Sequence, residues 1–127
     1  LPMESRKMIF ETIDLARQSK PTHTNANIFF PYLGTPLGEK TVELGYANKT
    51  EIRISKFDAS RTLLDMPQID SEDIENIRKL WSFYVTWPKF MYPLFRWLEK
   101  DTTIRRSILS VLRKIEYAIK PFKKCTA

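Results

Sequence analysis

Thiols are almost missing from this sequence. Cys125, close to its end, is the only one. A lone thiol forms no internal disulfide, and with no second cysteine the chain cannot hold an iron-sulfur cluster or a structural zinc ion on thiolates of its own. Disulfide-free chains suit a reducing compartment, so the expected location is cytoplasmic. Histidine is equally scarce. His23, the only one, sits in a turn beside Pro21 with no Cys, Asp or Glu at ligand spacing, which argues against a metal or catalytic role. No Ser/His/Asp constellation can be built on it. No apolar run approaches the ~20 residues of a bilayer crossing, and no signal-peptide pattern precedes the first expected helix. Internal repeats and low-complexity segments are missing as well.

What is present is one domain's worth of chain, 127 residues with a net charge of +6. The charge is concentrated at one end. Arg105, Arg106, Arg113, Lys114, Lys120, Lys123 and Lys124 face the single acid Glu116, while residues 1–104 are balanced. The basic character therefore describes the last helix and tail. That helix has three readings: a solvated face, contact with an anionic membrane surface, or, least favoured, nucleic acid, for which no recognised motif accompanies it.

Hydrophobic spacing places the elements. Met8, Ile9, Ile13 and Ala16, with Leu15 beside them, mark a helix over about residues 4–19, served at its start by Ser5 or Glu4 and closed by Pro21. A strand is expected over residues 24–30, where Ala26, Ile28 and Phe30 alternate with Asn25, Asn27 and Phe29. Its asparagines face either a polar cleft or solvent at an edge. The chain then breaks at Pro31, turns through Gly34 and Pro36, and enters a short helix at about Leu37 that Gly45 stops. A strand that passes through a Pro/Gly loop into a helix is half of a βαβ unit, and ligands of such folds sit at the carboxyl ends of the strands. Residues 51–55 alternate as a short strand does, or belong to an extended loop. Ser71 is expected to cap a helix with Ile74, Ile77, Leu80, Trp81, Tyr84 and Val85 in one stripe, its acids Glu72, Asp73 and Glu75 favoured by the dipole. Pro88 ends it. Phe90, Met91, Leu94, Phe95, Trp97 and Leu98 follow. A last helix, capped by Asp101 or Thr102 and ended by Pro121, carries Ile104, Ile108, Val111, Leu112, Ile115 and Ile119 at the 3.6 period. The dense aromatics between Trp81 and Trp97, interleaved with Lys89 and Arg96, suit packing against core and neighbouring domain better than stacking on bases.

Three stretches, in order, carry a resemblance. Leu1-Pro2-Met3-Glu4-Ser5 with the helix after it is similar to the Gly-Leu-Pro-x-Glu-Ser/Thr turn of radical S-adenosylmethionine (radical SAM) enzymes. Phe30-Pro31-Tyr32-Leu33-Gly34-Thr35-Pro36-Leu37 resembles their Phe-x-Pro-Tyr-Pro-Gly-Thr-Pro-Leu segment. Leu64-Asp65-Met66-Pro67, the helix after Ser71 and Pro88-Lys89-x-x-Tyr92-Pro93 resemble the C-terminal region of the cobalamin-binding branch, that of the anaerobic magnesium-protoporphyrin ester cyclase and hopanoid methylase relatives. The resemblance covers about residues 1–98. Leu33 departs from the pattern's proline, and Gly38 stands where an aromatic is common. The Cys-x-x-x-Cys-x-x-Cys of the cluster and the cobalamin domain, both N-terminal in that family, have no counterpart here.

The resemblance implies that these residues are the C-terminal piece of a larger radical SAM oxidoreductase or methyltransferase, inactive alone, whose missing N-terminal domains are its partners. The parent would use S-adenosylmethionine, a 4Fe-4S cluster and cobalamin. By the same resemblance Leu1, Pro2 and Glu4 of one loop and Phe30, Pro31 and Tyr32 of the next would cradle S-adenosylmethionine. No catalytic or metal-ligating residue is assigned. The expected fold is α+β and helix-rich. Residues 1–45 would form the last strand-helix elements of a partial (β/α) barrel, 46–70 a connecting segment, and 71–127 a C-terminal helical bundle. The open strand edges predict self-association. The rival expectation is a small non-enzymatic module that binds an anionic membrane or nucleic acid through its basic last helix.

Overall fold

Six α-helices and one 3-10 turn make up the regular structure in the computed structural model, which describes residues 1–55, 61–100 and 103–119. They are α1 (Arg6–Gln18), α2 (Pro36–Glu43), α3 (Lys49–Ile54), α4 (Ser71–Thr86), α5 (Tyr92–Lys100) and α6 (Thr103–Ile119), with the 3-10 turn at Lys89–Met91. Two compact units divide between Tyr92 and Pro93.

The partial barrel does not exist. Among the described residues there is no strand, only a single antiparallel bridge between Met66 and Ile69. A strand needs a ladder partner, and among the described residues none pairs with residues 24–30. Residues 51–54, the other alternating stretch, are helical: Asn48 caps α3, its side-chain oxygen accepting the Thr50 N–H at 2.8 Å, and Ile52 is buried while Ile54 is exposed. Capping and first-turn chemistry prevail over an alternation only four residues long. The fold is therefore helical, and residues 24–30 are an extended segment laid across it.

Helix α1 begins where Ser5 accepts the Met8 N–H and packs on α4. Its inner face carries the expected Ile13 and half-buried Ile9, joined by Phe10 and Arg17, while the expected Met8 turns outward. Ile13 is fully buried, whereas Met8 and Leu15 are exposed. Phe10 meets Tyr84 edge-on at 5.0 Å, and Tyr84 meets Tyr92 the same way at 5.0 Å. Leu80 and Phe83 of α4, both withdrawn from water, each stabilise the unit by ~1.5–3 kcal/mol.

The last turn of α4 contains no basic residue, and Arg17 of α1 supplies one. Its Nη1 donates to the carbonyls of Tyr84 at 2.7 Å, Val85 at 3.1 Å and Trp87. A cation on helix-end carbonyls that have no partner within the helix answers both their missing hydrogen bonds and the helix dipole. At the other end, Asp70 is the capping position. Ser71, expected there, instead donates its hydroxyl to the Leu64 carbonyl at 2.7 Å. That bond ties the turn holding buried Leu64, Met66 and Ile69 to the helix start.

Helix α2 ends as its sequence requires. Gly45 takes φ +73, Tyr46 N–H bonds to Thr41 C=O and Gly45 N–H to Val42 C=O, both at 3.0 Å, the paired bonds of a glycine-terminated helix. In the second unit Phe95, Leu98 and Leu112 are buried. Asp101, Thr102 and Pro121, expected to bound α6, lie outside the described residues.

Candidate functional site

Leu1 to Glu4 form a tight turn, with Glu4 N–H bonded to Leu1 C=O at 3.1 Å. Pro2 occupies the second position, where its fixed φ is suited, and Met3 the third, with φ +68. That third position of a type II turn belongs to glycine or asparagine. A methionine there carries ~1 kcal/mol of backbone strain, and the two ends of the turn, Leu1 and Glu4, line a cavity.

The cavity is about 560 Å³, within the ordinary range for small-molecule sites. Leu1 and Glu4 come to it from the turn, Ile9 and Thr12 from α1, and residues 26–29 from the extended segment. Thr62, Leu64 and Met66 form another part of the wall, and α4 contributes Ile74, Ile77, Arg78 and Trp81. The surface is mainly apolar. Trp81 is held in place, its indole N–H donating to the Thr24 hydroxyl at 2.7 Å, so the same bond fastens the start of the extended segment to α4.

Two kinds of polar group in the lining residues lack protein partners. The backbone N–H and C=O groups of residues 26–29 make no backbone hydrogen bond among the described residues. Arg78 has a buried Nε with no hydrogen-bond partner, and its guanidinium makes no ion pair among the described residues. An unmade bond of that kind costs ~1–3 kcal/mol. Arginine cannot escape the cost by losing its proton.

No known protein family, curated protein or solved structure matches this chain. The site therefore rests on its own geometry. Of the six residues that the radical SAM resemblance assigns to cofactor, Leu1 and Glu4 line the cavity. Pro2 shapes the turn beside it. Phe30, Pro31 and Tyr32 lie outside the lining: the rings of Phe30 and Tyr32 meet at a tilt with centroids 4.9 Å apart, Pro31 is fully buried, and Tyr32 is about half exposed. They belong to a second turn, in which Thr35 N–H and hydroxyl both reach Tyr32 C=O, at 3.3 and 2.7 Å, and Gly34 takes φ +83. Thr35 then caps α2 by accepting Gly38 N–H at 3.1 Å. Gly38 is required here, since a Cβ at that position would sit 2.0 Å from Tyr32 O. An aromatic, common in the resembled pattern, has no room.

Sequence reasoning missed Arg78 and, for Trp81, favoured packing over stacking on bases without placing it at a cavity. The signal was available: Arg78 is four residues after Ile74 and three before Trp81, so a cation is embedded in an apolar stripe. His23 is exposed, and among the described residues no group of three or more His, Cys, Asp or Glu could hold a metal ion.

Proposed function

We propose that the chain is the C-terminal part of a radical SAM enzyme that oxidises or methylates an unactivated carbon, and that the cavity is one wall of its reaction chamber. One observation carries the reading beyond the motif resemblance. Leu1 and Glu4 of the first turn and residues 26–29, which lead into the second marked stretch, are far apart in sequence and line one apolar cavity, with Phe30, Pro31 and Tyr32 outside it. Apolar walls suit a nucleoside's faces, and the unpaired backbone groups of residues 26–29 suit the edge of an adenine. The fit to S-adenosylmethionine thus rests on Leu1, Glu4 and residues 26–29; the chemistry that this group supplies is hydrogen-atom abstraction or methyl transfer. The cluster does not fit this chain, whose one cysteine offers no ligand set, and no residue here speaks for or against cobalamin.

The test is the encoding gene and its full-length product. We expect a Cys-x-x-x-Cys-x-x-Cys upstream of Leu1 in the same reading frame, and bound iron and sulfide with reductant-dependent cleavage of S-adenosylmethionine in the purified protein. A reading frame with no such motif overturns the proposal.

A second reading has one observation in its favour. Val111 and Ile115 are exposed on one face of α6, next to exposed Arg113 and Lys114, as in a helix that lies on an anionic membrane. Co-sedimentation with phosphatidylserine vesicles but not phosphatidylcholine vesicles, abolished by V111D/I115D, would support it. Among the described residues no helix is long and apolar enough to cross a membrane.

A further inference from the structure

We infer that Arg78 is the anchor for the carboxylate of a small, apolar-bodied acid that occupies the cavity. The inference stands on this chain's own residues and does not require the radical SAM reading.

Three features converge. The guanidinium is permanently charged, its Nε is buried, and that Nε has no acceptor. Its nearby acids are committed elsewhere: Asp73 pairs with Arg6 at 3.2 Å, and Glu75 accepts the Thr62 N–H at 3.4 Å. Arg78 as a whole is partly exposed and lines the cavity, and a carboxylate matches a guanidinium's planar fork with two parallel bonds. The surroundings then select what carries that carboxylate. Ile77, Leu64, Met66 and the anchored Trp81 offer apolar surface within the same cavity, which a hydrated inorganic anion would leave uncovered. Arg78 and Trp81 stand one turn apart on one rigid helix, so head-group and body contacts are set together before the ligand arrives, which lowers the entropy cost of binding.

Glu4 also lines the cavity, but its carboxylate already pairs with the Leu1 ammonium at 2.6 Å, so a ligand carboxylate at Arg78 is favoured over a ligand ammonium at Glu4.

The experiment is an NMR titration of the 127-residue chain with octanoate, 3-phenylpropionate, octan-1-ol and octylammonium, following the Arg78 Nε–H and Trp81 Nε1–H resonances. We expect saturable binding of the acids, with both resonances shifting together, and weaker binding of the alcohol. R78Q should weaken the acids by about tenfold or more while changing the alcohol little. R78K, which keeps the charge but loses the fork, should fall between. An unchanged backbone spectrum outside the cavity shows that each variant folds; if R78Q does not fold, R78K against the native chain gives the same ranking. Equal binding of acid and alcohol, tighter binding of the ammonium, indifference of the acids to R78Q, or no saturable binding of either acid at millimolar concentration overturns the inference. Loss of the upstream cysteine motif would defeat the radical SAM reading and leave this result untouched.

Discussion

Replacing Arg17 with methionine should be among the most damaging single changes in the first unit. Methionine keeps most of the aliphatic stem and removes the charge, so packing is largely retained. What is lost is the bonding from Nη1 to the carbonyls of Tyr84, Val85 and Trp87. A hydrogen bond from a charged donor contributes ~1.5–3 kcal/mol, and a partly buried cation at a helix C-terminus up to ~2 kcal/mol. The two describe overlapping physics and do not add. The Tyr84 carbonyl also keeps a second donor, the Tyr92 hydroxyl at 3.0 Å. The expected loss is therefore about 2–3 kcal/mol. At ~4–8 °C per kcal/mol for a unit of this size, the melting midpoint should fall by roughly 10–20 °C. Urea unfolding followed by far-UV circular dichroism measures it directly, with R17K as control. Lysine restores the cation but not the fork, and should recover about half of the loss. A loss under about 0.5 kcal/mol, the level of ordinary surface substitutions, would refute the assignment of Arg17 as the cap of α4.

Other outcomes follow from the turns and the aromatic cluster. M3G should stabilise the chain by about 0.5–1 kcal/mol in the same melt, because glycine accepts φ +68 without strain; a destabilisation would contradict the strain argument. G38A should cost about 1–3 kcal/mol despite alanine's better helix propensity, since its methyl meets a backbone oxygen; a neutral result would mean the loop yields freely. Burial pushes the Tyr92 phenol above its ordinary value of 10.0. The folded state then holds that proton more tightly than the unfolded chain, so its contribution is intact below about pH 10 and is lost as pH rises through the folded value. Y92F should remove that part of the alkaline loss, as paired pH-stability curves of the two proteins would show. Amide exchange at residues 26–29 should be fast relative to α4, because those groups lack backbone partners; slow exchange in dilute monomer would show pairing the structure does not contain.

Much of the fold was legible because local chemistry is strong at its helix ends. Ser5, Gly45 and Pro88 all sit at or next to ends of elements, and the stripe of α4 follows its spacing. The strand was not legible, since alternation in residues 24–30 specifies an extended backbone but not a neighbour. Whether a ladder forms depends on another segment, and residues 51–54 became helix. The face of α1 was only partly legible because Phe10 and the two arginines flanking it, Arg6 and Arg17, turn inward on long stems and leave Met8 and Leu15 outside. For the site, the resemblance marked Leu1 and Glu4, while Arg78 was hidden inside what reads as an ordinary amphipathic helix. Its importance depends on what it fails to touch, and spacing alone does not report that.

The contact of Gly38 with the Tyr32 carbonyl has a wider consequence. The loop and α2 are joined where backbone lies against backbone, and the Thr35 side chain pins the same joint from both sides, so their relative pose owes little to the outward side chains around them. Tyr32 and Leu37 point outward from this joint, and substituting them should alter what the surface presents without moving the chain beneath. One missing methyl group thus makes a rigid mount on which variable side chains can be exchanged.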